Sequence, residues 1–430
     1  MSPMFRALRA YNYRVYFLGG LVSNTGTWVQ RIAQDWLVLQ LTGGSGTALG
    51  VTTALQFLPM PLFGLWAGTL ADRYPKRRVL AVANAAMGLV ALVLGVLVLT
   101  GAVQVWHVFV LAFLLGTGSA VENPTRQSFV VEMVGRDDLT NAVGLNSASF
   151  NSARVVGPAA AGVLIAALGD ETGPLFLLNA ASYAAVILAL RAMRPGELQP
   201  APRTPRGPGQ VREGLRYVAG RPDLLLVLLV VFFVGTFGLN FQITNALMAT
   251  QEFGRGSEAY GLLGSVMAVG SLSGALLAAR RRAPSLALLV GGSLVFALLV
   301  VASGLMPTYA LFAVSLVPVG VVSLTVITTA NASLQLGVDP LVRGRVMALY
   351  MVVFFGGTPV GAPLVGALAE AVGPRASLVL GGVAVLVGVL GSLLVLARRP
   401  GVAVAARLGR HPALTVSAAP ERARPGPARA

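Results

Sequence analysis

The sequence predicts an all-α membrane protein with 12 transmembrane helices in two pseudo-symmetric six-helix bundles. Three observations support this prediction. Hydrophobic residues make up 55% and charged residues only 11% of the 430 residues, the apolar stretches are long enough to cross a bilayer, and basic residues collect between alternate stretches. A soluble chain of this length needs far more charge on its surface, so most of this chain must face lipid.

The apolar stretches give the individual spans, because a helix needs about 20 mostly apolar residues to cross the hydrocarbon. Lipid cannot satisfy open backbone groups, and no segment alternates like a barrel strand, so every span is expected to be helical. The expected spans are 14–41, 47–70, 78–100, 104–123, 141–168, 174–192, 222–249, 258–280, 284–305, 308–334, 345–370 and 376–397.

The basic residues orient these spans. Most of the 32 lysines and arginines lie in segments on the side of the N-terminus, whereas the opposite loops hold only Arg255 and Arg375. Cytoplasmic loops of membrane proteins collect such residues. We therefore expect a multi-pass protein of a prokaryotic cell (inner or plasma) membrane with both termini in the cytoplasm. The net charge of +16 then reflects topology rather than nucleic-acid binding.

The composition leaves few residues for enzyme or metal chemistry. The chain has no cysteine and two histidines, and it lacks a phosphate loop of the G-x-x-x-x-G-K-[ST] type. We expect no enzyme activity, no metal site, no bound cofactor and no direct coupling to ATP.

A segment rich in Pro, Gly and Arg divides the chain. The expected domains are an N-terminal six-helix bundle at 1–192, a cytoplasmic linker at 193–220, a C-terminal six-helix bundle at 221–397 and a disordered cytoplasmic tail at 398–430. The halves echo each other, since GTLADRYPKR from Gly68 corresponds to GALLAARRRA from Gly274, and GPAAAG from Gly157 to GAPLVG from Gly361. Duplicated halves are typical of transporters that bind their substrate at the interface.

The segment GTLADRYPKRRVL resembles the loop between the second and third helices of the major facilitator superfamily. The matching positions are Gly68, Leu70, Asp72, Arg73, Lys76, Arg77 and Arg78. Pro75 departs from the pattern, because the family usually has glycine there. In the family this aspartate interacts with the cytoplasmic end of helix 11 and with a motif arginine. The resemblance thus implies that Asp72 latches the bundles together on the cytoplasmic side. A plain positive-inside anchor is the alternative.

A second segment, NSARVVGPAAAG, is similar to the glycine-proline motif of drug antiporters within that superfamily, at Gly157, Pro158 and Gly162. The glycines reduce bulk, and the proline removes a backbone donor and kinks the helix. Ordinary packing of small residues is the alternative. Ala112 stands where other antiporter groups carry a proton-relay arginine in helix 4, so that role is not carried over.

Two further segments extend the resemblance to drug:proton antiporter family 3, which includes the macrolide and enterobactin exporters. They are VSNTGTWVQRIAQDWLVLQLT from Val22 and NPTRQSFVVEMVGRDDLTNA from Asn123, and with them the resemblance covers most of the chain.

The resemblance implies a secondary transporter that exports hydrophobic or amphipathic small molecules of the drug, macrolide or siderophore class. It would work by alternating access and be driven by the proton gradient. A nutrient or sugar symporter or facilitator, and a non-transporting scaffold or sensor, stay open as alternatives. The expected partners are the small-molecule substrate and the lipid bilayer, and we expect a monomer. The compound carried and the coupling ion stay open.

Charged residues within spans are the candidates for proton coupling, because each costs roughly 2.5–3.5 kcal/mol to insert. Asp35 either carries the proton as access alternates or forms a structural ion pair with Arg31, four residues earlier. Arg154 either bonds a carbonyl freed by the Pro158 kink or meets a carboxylate of the first span.

Polar and aromatic residues of the spans are candidates for the wall of a central cavity, with packing between helices or in the core as the alternative. They are Asn24, Thr27, Gln34, Gln56, Asn146, Asn151, Phe237, Asn240, Phe241, Gln242 and Asn245. Two of them, Asn24 and Thr27, share a face of the first helix with Arg31 and Asp35.

Overall fold

The computed structural model describes residues 3–135, 137–199, 210–279, 284–339, 342–400, 402–407 and 413–418. The N-terminal half begins with a 3-10 turn, Pro3–Arg9. Its helices are α1 Tyr11–Thr42, α2 Gly46–Phe57, α3 Pro59–Arg73, α4 Lys76–Leu99, α5 Val105–Val134, α6 Leu139–Ala167 and α7 Gly173–Ala192.

The C-terminal half follows a short 3-10 turn, Pro195–Glu197, and a short helix, α8 Gln210–Ala219. Two π-helical segments, Val234–Gly238 and Met248–Glu252, lie on either side of the short helix Phe241–Leu247. Its helices are α9 Pro222–Phe233, α10 Phe241–Leu247, α11 Ser257–Ala279, α12 Leu286–Gly304, α13 Tyr309–Gly337, α14 Arg343–Val372 and α15 Pro374–Arg398.

Within the described residues, ten of these helical passages are long and apolar enough to cross a membrane, with Pro222–Glu252 counted as one. The other two predicted spans are also helical. α1 has the length but carries Arg31 and Asp35 in its middle. The second span is divided at Leu58, because Pro59 lacks a backbone N–H and starts a new helix. The chain is a multi-pass membrane protein, as the apolar stretches predict.

The turn between α1 and α2 places a row of small residues at the surface of α2. Gly43 ends α1 in the left-handed conformation (φ 64°), which costs glycine little. Ser45 then caps α2, since its hydroxyl oxygen accepts a hydrogen bond of 3.0 Å from the backbone N–H of Ala48. The tight turn thereby fixes Gly46 and Gly50 near the start of α2.

Each half is a bundle in which helices pack on their own neighbours, and two helix pairs make the most extensive contacts between the bundles. α2 packs on α14, and α6 packs on α11. We call the end of the molecule with the N-terminus of α1 and the linker the basic end, and the end with the α1–α2 turn the far end.

The two bundles approach most closely near the far end. A Cβ added at Gly46 would lie 2.7 Å from the carbonyl oxygen of Gly366, and one at Gly162 would lie 2.6 Å from the carbonyl oxygen of Ser257. Such close backbone contact is possible because these residues lack side chains. We call the packing of α2 on α14 and of α6 on α11 the far-end contact.

The hydrogen bonds between the bundles show the same asymmetry. Gln251 Nε2 donates to the carbonyl oxygen of Gly44 at 2.6 Å, and Thr47 donates to Glu370. The other hydrogen bonds between the bundles that join described residues also lie in the half of the molecule nearest the far end. The far end is therefore closed in this conformation.

The predicted linker and tail contain more structure than expected. α8 lies within the linker and packs along α14. The prediction of a disordered tail is wrong for two segments, because β1 Val402–Arg407 and β2 Ala413–Ala418 pair as antiparallel strands. β2 packs on α9 and α12, where Val416 is buried. Valine and threonine favour strands, a local preference that the Pro-, Ala- and Arg-rich composition of the tail concealed. The tail residues after 400 that belong to neither strand lie outside the described part.

Candidate functional site

The carboxylate of Asp35 connects the two bundles. It belongs to α1 and is fully buried, with 0% of its surface exposed. Its Oδ1 accepts a hydrogen bond of 2.9 Å from Nε2 of Gln242, and its Oδ2 accepts one of 2.6 Å from the hydroxyl of Tyr260. Both donors come from the C-terminal bundle. Bonds of this kind to a carboxylate are roughly twice as strong as neutral ones, so Asp35 helps to hold the far end closed.

The predicted ion pair between Asp35 and Arg31 is absent from the described residues in this conformation. The guanidinium carbon of Arg31 instead lies 4.8 Å from the ring centre of Trp28 and 5.6 Å from that of Phe57. The Nε of Arg31 is buried and has no hydrogen-bond partner. The four-residue spacing permits an ion pair between Arg31 and Asp35. The carboxylate instead accepts its hydrogen bonds from the two donors of the other bundle.

Arg154 also stacks on Trp28, with its guanidinium carbon 5.8 Å from the ring centre. Neither of the two roles predicted for Arg154 appears among its contacts in the described part of the chain. It forms no ion pair with a carboxylate of α1 there, and it donates to no carbonyl of the kink. Two arginines thus contact one tryptophan in the middle of the N-terminal bundle.

The glycine-proline motif forms the surface of α6 that meets other helices. A Cβ added at Gly157 would lie 2.5 Å from the Cβ of Trp28, so this glycine lets α6 approach α1. Pro158 lies against Gly261 and Gly264 of α11, and Gly162 lies against Ser257. The motif therefore serves contacts both within the N-terminal bundle and between the bundles.

Ser265 of α11 bonds two backbone groups of α6 that lie beside Pro158. The backbone N–H of Ala159 donates to its hydroxyl oxygen at 3.0 Å, and the hydroxyl donates to the carbonyl oxygen of Val155 at 2.6 Å. In an uninterrupted helix these two backbone groups would bond each other. A side chain from the opposite bundle thus bonds the backbone of α6 beside the proline, and no sequence motif indicated this role for Ser265.

We expect Ser265→Ala to weaken the far-end contact by about 1–3 kcal/mol, because it leaves buried backbone groups without partners. If α6 straightens to pair them, Pro158 withdraws from α11, and the contact weakens as well. The measurement is thermal unfolding in detergent together with the far-end accessibility of a single introduced cysteine. Ser265→Thr keeps the hydroxyl and is the matched control. An unchanged midpoint and unchanged accessibility in the alanine variant would contradict this role.

The cations of the predicted cytoplasmic gate motif contact their own bundle. Lys76 pairs with Glu132 of α5 at 2.5 Å, and Arg77 donates to the carbonyl oxygen of Leu190 in α7 at 2.6 Å. Arg73 and Arg78 are exposed, and Gly68 is buried within α3. The side chain of Asp72 lies outside the described residues, so its contact with the basic end of α14 stays a prediction.

Two predicted cavity residues, Asn24 and Asn146, line a cavity inside the N-terminal bundle. Asn24 donates to Ser149 at 3.3 Å, and Tyr13 donates to Asn146 at 3.0 Å. The cavity is also lined by residues that were not predicted for it, among them Asn84, Glu122 and Arg126. Thr27, on the same face of α1, lies 3.5 Å from the hydroxyl of Tyr183.

The expected span 104–123 ends beside Glu122, but α5 continues to Val134 and carries Glu122 and Arg126 on its surface toward the cavity. They form an ion pair of 3.3 Å within one helical turn. The extra length of α5, which the polar composition beyond 123 concealed, is the reason for the difference.

The remaining predicted cavity residues fall into two groups. Gln34, Gln56 and Asn245 are buried, and each has one amide atom without a partner. The others bond their own helix or pack within a bundle. Asn151 donates to Ser147 O, Asn240 donates to Thr236 O, Phe237 stacks on Phe233, and Phe241 is buried edge-on against Phe296. For Phe241 the structure thus favours core packing, the alternative to a cavity wall.

Comparisons with known proteins agree with this arrangement. A family model described as transmembrane secretion effector matches residues 2–422. The multidrug efflux pump Tap of Mycobacterium tuberculosis is 31% identical over 378 residues, 83% of this chain and 87% of that pump. The staphyloferrin A transporter of Staphylococcus aureus is 33% identical over 179 residues, which are 41% of this chain and 44% of that transporter.

A solved structure supports the fold independently. The bacterial homologue of the human lysosomal transporter Spinster, in an inward-facing and unoccupied conformation, matches with a TM-score of 0.69. The match covers 92% of this chain and 96% of that protein at 16% sequence identity. The predicted major facilitator fold is confirmed.

Proposed function

Because the chain belongs to the transmembrane secretion effector family, we propose that it exports amphipathic small molecules from the cytoplasm in exchange for protons. The relatives carry the names of a multidrug efflux pump, a siderophore transporter and a macrolide efflux protein. The basic end is the cytoplasmic end in this proposal, since arginine and lysine collect there. The conformation described above is then closed to the outside.

One observation carries the exchange with protons: a buried carboxylate in α1 whose two hydrogen-bond donors belong to the other bundle. Opening the far end must separate Asp35 from Gln242 and Tyr260. The carboxylate then loses both donors and faces the outside, where it takes up a proton. Release of that proton after the return lets the carboxylate accept both bonds again, so proton movement and access are coupled.

The compound enters between the bundles from the cytoplasm and leaves when the far end opens. Closure of the basic end needs new contacts there, and the Asp72 latch is the proposed one. All of these contacts lie within one chain, so the cycle requires only a monomer. Asp72→Ala that retained full efflux would count against the latch without affecting the role of Asp35.

The test is an accumulation and susceptibility panel of macrolides, dyes and siderophores in a host that lacks its own efflux pumps. We expect lower accumulation of at least one compound when the protein is present, and a return to the control level with an uncoupler. Inverted membrane vesicles give the direction, because an exporter takes the compound up as protons leave. Proton-driven movement in the opposite direction would indicate a symporter, and no change in accumulation would indicate a scaffold or sensor.

A further inference from the structure

We infer that Arg31 and Arg154 form an anion subsite, and that the exported compound carries a carboxylate or similar anionic group next to an aromatic or apolar part. The inference rests on the proposed export function and names the class of compound. The groups proposed to bind the compound are the two guanidinium ions and the aromatic rings that they contact.

The two arginines have positive charge without a matching carboxylate. Among the described residues, neither forms an ion pair or a hydrogen bond, and the Nε of Arg31 is buried with no partner. Their contacts in this region are the rings of Trp28 and Phe57. Two like charges in a membrane-spanning bundle are unfavourable unless an anion accompanies them.

The nearby carboxylates are engaged elsewhere. Asp35, one helical turn from Arg31, accepts its bonds from Gln242 and Tyr260. Glu122, on the cavity side of α5, pairs with Arg126. The state with a closed far end therefore leaves both arginines without a carboxylate of the protein and available to an anion that arrives from the basic end.

The aromatic rings indicate the rest of the ligand. Trp28 contacts both guanidinium groups and meets Phe150 edge-on, with ring centres 5.9 Å apart. Phe150 is 41% exposed, so this cluster presents apolar surface next to the charges. A guanidinium binds a carboxylate through two parallel hydrogen bonds, and aromatic rings stack on flat apolar groups. An amphipathic anion satisfies both requirements.

The spacing of Arg31 and Asp35 also supplies a way to release the anion. When the far end opens, Asp35 loses its donors and, before it takes up a proton, its carboxylate lies four residues from Arg31, at the distance for an ion pair within one helix. The carboxylate of the protein then competes with that of the compound for the same guanidinium. Binding on the basic side and release on the far side follow from one exchange of partners.

The experiment measures binding to the purified protein in nanodiscs of zwitterionic lipid, so that no anionic lipid headgroup competes. The probes are pyrenebutyrate and its neutral primary amide, detected by energy transfer from tryptophan, with empty nanodiscs subtracted. We expect the acid to bind about tenfold more tightly than the amide. Arg31→Gln and Arg154→Gln should each remove this preference, whereas Arg398→Gln, at the exposed end of α15, should keep it.

Lysine variants are the control for a loss of folding. Arg31→Lys and Arg154→Lys keep the positive charge but lose the two parallel N–H donors of the guanidinium. We expect them to retain part of the preference for the acid. Equal binding of acid and amide by the natural protein would overturn the subsite, as would an undiminished preference in both glutamine variants. An exporter active in cells that shows no such preference would refute the subsite alone. A preserved preference without any efflux would refute the export function and leave the subsite standing.

Discussion

Asp35→Asn is expected to reduce proton-driven efflux by about tenfold or more, close to background, while the protein stays folded. Asparagine has the shape of the carboxylate, and its Oδ1 can still accept a bond from Gln242 or Tyr260. It cannot take up or release a proton, so opening of the far end is no longer coupled to the gradient. Efflux and the accompanying proton movement are measured in inverted vesicles with a fluorescent pH indicator.

Tyr260→Phe is the matched control for this prediction. It removes the 2.6 Å bond to Asp35 but leaves the carboxylate in place. The closed far end should lose about 1.5–3 kcal/mol, the usual contribution of a hydrogen bond to a charged group. Access from the far side should therefore rise while proton coupling persists. Wild-type efflux in the asparagine variant would leave Asp35 with a structural role only.

Gly366→Val is expected to stop transport by preventing closure of the far end. A side chain at this position overlaps the carbonyl of Gly46 on the facing helix, and backbone on both sides leaves no atoms that can move away cheaply. The contact lies between the bundles rather than within one, so each bundle should still fold. We expect efflux at background level and a far end that stays open.

The chain contains no cysteine, which makes the readout direct. A single Thr47→Cys at the far end should react slowly with a membrane-impermeant thiol reagent in the natural background and rapidly beside Gly366→Val. Gly391→Val in α15 is the control, because a Cβ added there meets nothing within 4 Å. Normal efflux with slow labelling in the Gly366 variant would show that the far-end contact is not needed for the cycle.

The sequence indicates the fold more completely than the site. The spans depend on residues that are neighbours in the chain, whereas the site depends on residues that are far apart in it. Apolar length and basic loops are local properties, and they locate the spans and the division between the bundles. The partners of Asp35 come from α10 and α11, more than 200 residues away. Tyr260 looks like an ordinary aromatic residue near a helix end, so nothing local points to its bond with Asp35.

The same limit explains the ion pair that does not form. Residues 31 and 35 have the spacing of a helical pair, and a local argument favours it. In this conformation the carboxylate of Asp35 instead accepts hydrogen bonds from the other bundle. Ser265 illustrates the converse, because its bonds to the backbone of α6 depend on packing between the bundles that no local pattern indicates. The sequence motif identifies residues such as Gly162, but it does not identify the helix surface that they contact.

Alternating closure of the two ends is tested most directly by distances between pairs of spin labels in the cysteine-free chain. One pair, at Leu168 and Arg255, spans the bundles at the far end, and the other, at Tyr74 and Leu336, spans them at the basic end. Acidification removes the charge that strengthens the bonds of Asp35. We predict that the far-end distance then lengthens while the basic-end distance shortens. Two distances that stay fixed, or that change in the same direction, would contradict alternating closure.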